Sequence, residues 1–144
     1  MQVTSRLTAA VHILLCIDWF QNDRQVTSRF LALSTGLNPA AIRSVMSQLK
    51  EAGMILVHQG ESGIRLNVDL ESITLYDVYQ AVSPERDLFR FHEQPSPECP
   101  VGRNIHAALD EQLRSVQKAM EDRMKEICIS EAAETIRTKI GEGY

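Results

Sequence analysis

Residues 26–69 read VTSRFLALSTGLNPAAIRSVMSQLKEAGMILVHQGESGIRLNVD, and few folds accept that order of local signals. Ser28 is placed to cap a first helix whose apolar side is Phe30, Leu31 and Leu33. Gly36 stands where the chain must turn sharply, and Leu37 can plug the angle between two helices. Asn38 followed by Pro39 is an N-cap with proline in the first helical position. Ile42, Val45, Met46 and Leu49 then recur at helical spacing. Gly53 closes that second helix, residues 54–58 alternate into a strand, and a Gly60-Glu61-Ser62-Gly63 turn returns through residues 64–68. Helix, tight turn, helix and hairpin is the order of a winged helix, which presents its second helix to the major groove of DNA.

The 144 residues suit one compact domain plus an extension. Hydrophobic residues at 44% and charged residues at 24% are ordinary for a globular protein. No apolar run approaches the ~20 residues of a membrane helix. The opening MQVTSRLTAAVHILLCIDWF is expected to be an amphipathic helix rather than a secretory leader, because Asp18 interrupts the apolar run, no small-residue cleavage site follows, and the spacing is helical. A cytoplasmic protein without a membrane partner is expected. The net charge of −4 at first disfavours a nucleic-acid partner. Residues 1–70, however, carry six Lys/Arg against five Asp/Glu, and residues 71–144 carry nine against fourteen. The acidity therefore belongs to the C-terminal half, and the local field at a docking face is what matters. So small a positive excess implies moderate affinity per half-site and a need for dimerisation.

Around this unit the pattern predicts a helix over residues 4–19 with Leu7, Val11, Leu14, Leu15 and Trp19 inward. A second helix is predicted over 70–82, with Thr74 as N-cap and Asp77 three residues on. Four of the five prolines fall in residues 83–100, so regular structure is not expected there, although Leu88, Phe89 and Phe91 can dock part of the segment on the body. A long helix follows over 102–129. Ile105, Leu109, Leu113, Val116, Met120, Met124 and Ile127 give it a coiled-coil-like stripe along a rod of roughly 39 Å. That stripe exceeds what a small winged helix needs to cover its own core. A second subunit would bury it; the alternative is a helix folded back on its own domain. Residues 130–144 show a short helical pattern and a Gly-rich end. The expected fold class is thus mainly α (α+β). Residues 1–82 form a winged helix-turn-helix DNA-binding domain, 83–101 a proline-rich loop and candidate sensing segment, and 102–144 a dimerisation helix with a tail.

With those elements in place, the chain resembles the Rrf-two family of bacterial winged-helix transcription regulators over nearly its whole length. The likeness rests on Thr4-Ser5-Arg6 followed by AVHILL, on LNPAAIRSVMSQLKEAG and the Gly-bounded wing, and above all on ITLYDVYQAV and CPVGRNI. The resemblance implies a homodimer joined through its long helices, repressing by default, with two winged helices spaced for a palindromic operator. Some members hold an iron–sulfur cluster on three cysteines in the loop before the long helix. Only Cys99 stands there in this chain, with Asp87, His92 and Glu93 nearby, so the sequence resembles the cluster-free branch and no cofactor is expected.

The residues able to carry the chemistry follow from the groove geometry. Outward positions on the second helix are Ala40, Arg43, Ser44, Ser47 and Gln48, with Asn38 at its cap. Arg43 suits bidentate contact with guanine O6 and N7, or alternatively a phosphate. Gln48 could address adenine or a phosphate. Ser28, Ser44 and Ser47 are short donors for phosphate oxygens, and Ser5 and Arg6 would add backbone contacts at the start of the first helix. Arg65 on the wing, with Gln59 and Ser62, either reaches the minor groove or faces solvent. The proposed dimer contacts are Ile105, Leu109, Leu113, Val116, Met120 and Ile127. Cys16, Cys99 and Cys128 are spaced too widely for a zinc motif, and their odd number argues against a disulfide framework. Cys16 and Cys128 read as packed core thiols. Cys99 reads as a redox sensor ahead of a helix N-terminus, as a metal ligand with His92 and His106, or as an inert loop residue. His12 and His58 have no evident nucleophile beside them, so an enzyme is not indicated. The competing class is a winged-helix interaction module that never reads DNA, and the signal sensed by a regulator, a small molecule or an oxidant, is not written in the sequence.

Overall fold

The computed structural model describes residues 3–58, 63–83 and 87–142. Helices α1 (Val3–Phe20), α2 (Ser28–Thr35) and α3 (Pro39–Glu51) are followed by strands β1 (Ile55–Val57) and β2 (Ile64–Leu66). Helices α4 (Leu75–Val82), α5 (Pro100–Met124) and α6 (Ile129–Gly141) complete the described chain. The strands pair antiparallel with Leu56 opposite Arg65. The tip of the hairpin, including Gln59 and Ser62, lies outside the described residues.

Local chemistry sets most boundaries. Asn38 Oδ1 accepts from the Ala41 amide at 2.8 Å, with Pro39 opening α3. At the other end of α3, Gly53 adopts a φ of 77°. Its amide donates to the Lys50 carbonyl at 2.9 Å and the Met54 amide to Leu49 at 3.0 Å, which uses carbonyls the helix leaves open. Thr74 and Asp77 cap α4 reciprocally: the Thr74 amide donates to Asp77 Oδ2 at 2.8 Å and the Asp77 amide to Thr74 Oγ1 at 3.2 Å. That helix begins at Leu75 rather than at residue 70, because the Thr74 cap fixes its first turn. The cap of α2 also differs from expectation. Thr27, not Ser28, accepts from the Phe30 amide, at 3.1 Å.

The core gathers Ala10, Ile13, Leu14 and Ile17 of α1 against Leu31 of α2, the buried face of α3, both strands, and Val78 and Val82 of α4. Two sequence expectations shift by part of a turn. Trp19 is 39% exposed and Leu33 is 76% exposed, whereas Ile13 and Ile17 are fully enclosed. Leu7, Val11 and Leu15 pack only at the margin of the core.

The larger correction concerns the C-terminal half. The long helix starts two residues earlier than expected and stops at Met124, and α6 then turns back into the body. Ile129 and Ala133 of α6 are buried in the core, and Arg137 pairs with Asp18 of α1 at 3.1 Å. Ile127 is therefore not on the stripe of α5: its carbonyl accepts from the Leu75 amide at 2.9 Å and ties the turn to the start of α4. Cys128 is the N-cap of α6 and only half-buried, with its amide donating to the Glu131 carboxylate at 2.9 Å. By contrast α5 buries none of its residues, and at about 1.5 Å per residue it forms an arm of roughly 37 Å. The described part of the proline-rich segment, from residue 87 onward, docks on this arm through Leu88 and Phe91. The Leu88 amide donates to Gln117 Oε1 at 3.0 Å, and Phe91 stacks on His106 with centroids 4.4 Å apart. The Ser96 carbonyl approaches Gly102 so closely that a Cβ there would lie 2.7 Å from it.

Candidate nucleic-acid interface

Helix α3 divides cleanly into two faces. Ile42, Val45, Met46 and Leu49 are buried, while Ala40, Arg43, Ser44 and Ser47 are exposed on the other side. The burial of four apolar side chains orients the helix, and that orientation turns the polar row outward. Arg43 has no hydrogen bond or ion pair among the described residues, so its guanidinium is available to a ligand.

The start of α1 meets this row. Arg6 Nε donates to Gln48 Oε1 at 2.7 Å, and its NH2 group donates to Ser44 Oγ at 2.5 Å. Three of the residues assigned to DNA from the sequence are thus brought together, with exposed Ser5 one position before Arg6. The contacts join positions 42 and 38 residues apart, a separation at which no local sequence signal exists. Exposed Ser28 and Arg29 sit in the first turn of α2, beside the Thr27 cap.

Arg65 is differently employed. Its NH1 group donates to the Gln21 carbonyl at 2.9 Å and its NH2 group to Asn22 Oδ1 at 3.2 Å. The Leu66 amide donates to Gln21 Oε1 at 3.0 Å. The connector after α1, which reads only as polar in sequence, therefore latches the wing to the body. Gly63 reinforces the latch: it holds a φ of 64°, and a Cβ there would stand 2.6 Å from the Val26 carbonyl. Chain geometry and close approach both demand glycine at that point.

The remaining candidates lie on the arm. Cys99 is exposed and is the N-cap of α5, its sulfur accepting from the Gly102 amide at 3.5 Å. His92 and His106 are neighbours, with ring centroids 5.8 Å apart and the His92 carbonyl 3.2 Å from His106 Nε2. No group of three His, Cys, Asp or Glu side chains among the described residues is placed to hold a metal ion. Along α5, Ile105, Leu109, Leu113 and Met120 are half-buried and Val116 is 54% exposed. No helix among the described residues is long and apolar enough to cross a membrane.

Comparison with known proteins agrees with this arrangement. The family model described as Rrf2, iron-dependent transcriptional regulator, matches residues 3–135. YwnA of Bacillus subtilis (strain 168), provisionally named an HTH-type transcriptional regulator, is 41% identical over 122 residues, covering 85% of this chain and 90% of its own. A crystal structure provisionally described as a DNA-binding protein superposes with a TM-score of 0.68 at 33% identity, covering 88% of this chain and 97% of that one. CymR, the global cysteine regulator of B. subtilis, shares the fold with a TM-score of 0.65 at 14% identity, over 93% of this chain and 97% of its own. The family model and the name given to YwnA both describe transcriptional regulators.

Proposed function

The chain belongs to the Rrf2 family of transcriptional regulators, and from that premise we propose that it is a homodimeric repressor of a palindromic operator, acting in the cytoplasm. In each half-site α3 enters the major groove, with Arg43 toward base edges and Ser44, Ser47 and the start of α1 toward phosphates. The observation that carries this reading is the outward polar row of α3, whose opposite face is sealed into the core. Arg65 serves the wing from behind, fixing its angle for a minor-groove approach, since both ends of its guanidinium are held by the body. The partner that covers α5 is a second copy, because this chain encloses no residue of that helix and spends its own α6 on the core instead.

The reading is of a regulator without an iron–sulfur cluster. Cys99 is the one cysteine between residues 83 and 101, and its sulfur already caps α5. That donor set does not fit a cluster held by thiolates. A thiol signal remains a second reading, supported by the exposure of Cys99 at the joint between the proline-rich segment and the arm. Under that reading, diamide changes operator affinity in the wild type and leaves Cys99→Ser unaffected; the same change in both proteins removes it.

Polarisation titrations on the promoter region of its own gene, at two salt concentrations, test the main reading. Specific binding above competitor DNA with a steep salt slope is expected. Absence of preference over competitor would instead identify an interaction module that reads no sequence.

A further inference from the structure

The connector after α1 carries a small aromatic stack. The Asp23 and Arg24 amides both donate to the Phe20 carbonyl at 3.0 Å, which pins the backbone of Arg24 to the last residue of α1. The Arg24 guanidinium lies over the Phe30 ring, 4.2 Å from its centroid. Phe30 in turn meets Phe20 edge to face, with centroids 5.0 Å apart and the rings at 80°. Both rings pack against the core, so the surface beneath the arginine has a fixed orientation. Arg24 itself is exposed.

Stacking engages the flat face of a guanidinium and leaves the N–H groups at its edge free. Those of Arg24 have no hydrogen bond or ion pair among the described residues. Arg65 and Arg137, by contrast, spend theirs on the fold, at Gln21, Asn22 and Asp18. Within residues 21–29 the positive charges are Arg24 and Arg29, and the single carboxylate is Asp23. The local field therefore favours an anion.

The place of Arg24 between two elements decides which anion. On one side, Ser28 and Arg29 in the first turn of α2 share a cleft with Leu37 and Pro39, where the recognition helix begins. On the other, Gln21 and Asn22 hold Arg65 of the wing, and Gly63 packs directly on Gln25 and Val26. With α3 in a major groove and the wing at the neighbouring minor groove, the phosphate strand between those grooves must cross the surface that joins the two elements. That surface is the connector and the first turn of α2.

We propose that Arg24, seated on Phe30, grips the DNA backbone where it runs between the groove entered by α3 and the groove faced by the wing. The inference rests on the regulator reading for its partner and adds a contact that carries no sequence information. The stack orders a long side chain before DNA arrives, which lowers the entropic cost of the contact.

Polarisation titrations of the full chain on its promoter fragment and on a random duplex of equal length, across a series of salt concentrations, test the contact. Arg24→Ala is expected to weaken both complexes by a similar factor, roughly tenfold or more. The slope of log affinity against log salt is expected to become shallower by about 1 per bound subunit. Its melting temperature is expected to match the wild type, because the side chain is exposed. Arg24→Lys keeps the charge and is expected to keep the slope. Arg123→Ala removes the same charge from the far end of α5 and is expected to change neither affinity nor slope. An unchanged slope in Arg24→Ala, an equal change in Arg123→Ala, or a loss confined to the promoter fragment overturns the proposal. A wild type that binds both duplexes equally sinks the regulator reading, while the same slope comparison still judges the contact. A wild type that binds neither sinks both.

Discussion

Helices α3 and α5 are both amphipathic, yet the chain treats their apolar faces in opposite ways. In α3, Ile42, Val45, Met46 and Leu49 disappear into a core shared with every other element of the body. In α5, Ile105, Leu109, Leu113, Val116 and Met120 recur just as regularly, and not one is buried. The first face specifies the fold of the chain itself. The second is a surface left over after that fold is complete, since α6 returns to seal the body in its place. Periodicity in a sequence therefore reports that a face must be covered, while what covers it is decided by the rest of the chain.

The contrast is open to direct attack. Leu49→Ala is expected to lower folding stability by about 2–5 kcal/mol, equally at every protein concentration, in denaturant titrations. Leu109→Ala is expected to lower the melting temperature mainly at low protein concentration, with a matching shift toward monomer in light scattering. A concentration-independent loss in Leu109→Ala would mean that α5 is covered by its own chain. Within α3 the comparison runs between faces. Arg43→Ala is expected to leave the melting temperature unchanged and to cost roughly 1–3 kcal/mol on the operator, with little change on random DNA. Equal losses on both DNAs would reduce Arg43 to a phosphate contact. At the smallest scale, Thr27→Ala is expected to cost about 1 kcal/mol, and Ser28→Ala a few tenths at most. The reverse order in chemical unfolding would move the cap of α2 back to Ser28.

Legibility in the sequence followed the chemistry of the helix ends. Asn38-Pro39, Gly53 and the Thr74–Asp77 pair use side chains whose preferences are strong, and the structure starts or stops its helices at those residues. At Thr27-Ser28 two adjacent residues can both cap, and only packing chooses between them. The break between α5 and α6 was hidden for the opposite reason. Its cap is Cys128 with Glu131, an unusual residue for that duty, and no glycine or proline marks the interruption. Apolar Ile127 then falls by chance in register with the stripe of α5. The course of the proline-rich segment was equally hidden, because it depends on contacts such as Leu88 with Gln117, made 29 residues apart. The outward row of α3 was readable from spacing. The grip of Arg6 on that row was not.

That grip narrows what Gln48 can say to DNA. A free glutamine offers an acceptor and a donor side by side, the pairing that adenine presents in return. Here Oε1 already accepts from Arg6 at 2.7 Å, so one of its two lone pairs is spent and the oxygen is held toward that arginine, while the Nε2 hydrogens stay open to an outside partner. In the proposed complex Gln48 is thus biased toward donating, as to a guanine N7 or a phosphate oxygen, and the vocabulary of α3 is set partly by an arginine that belongs to another helix.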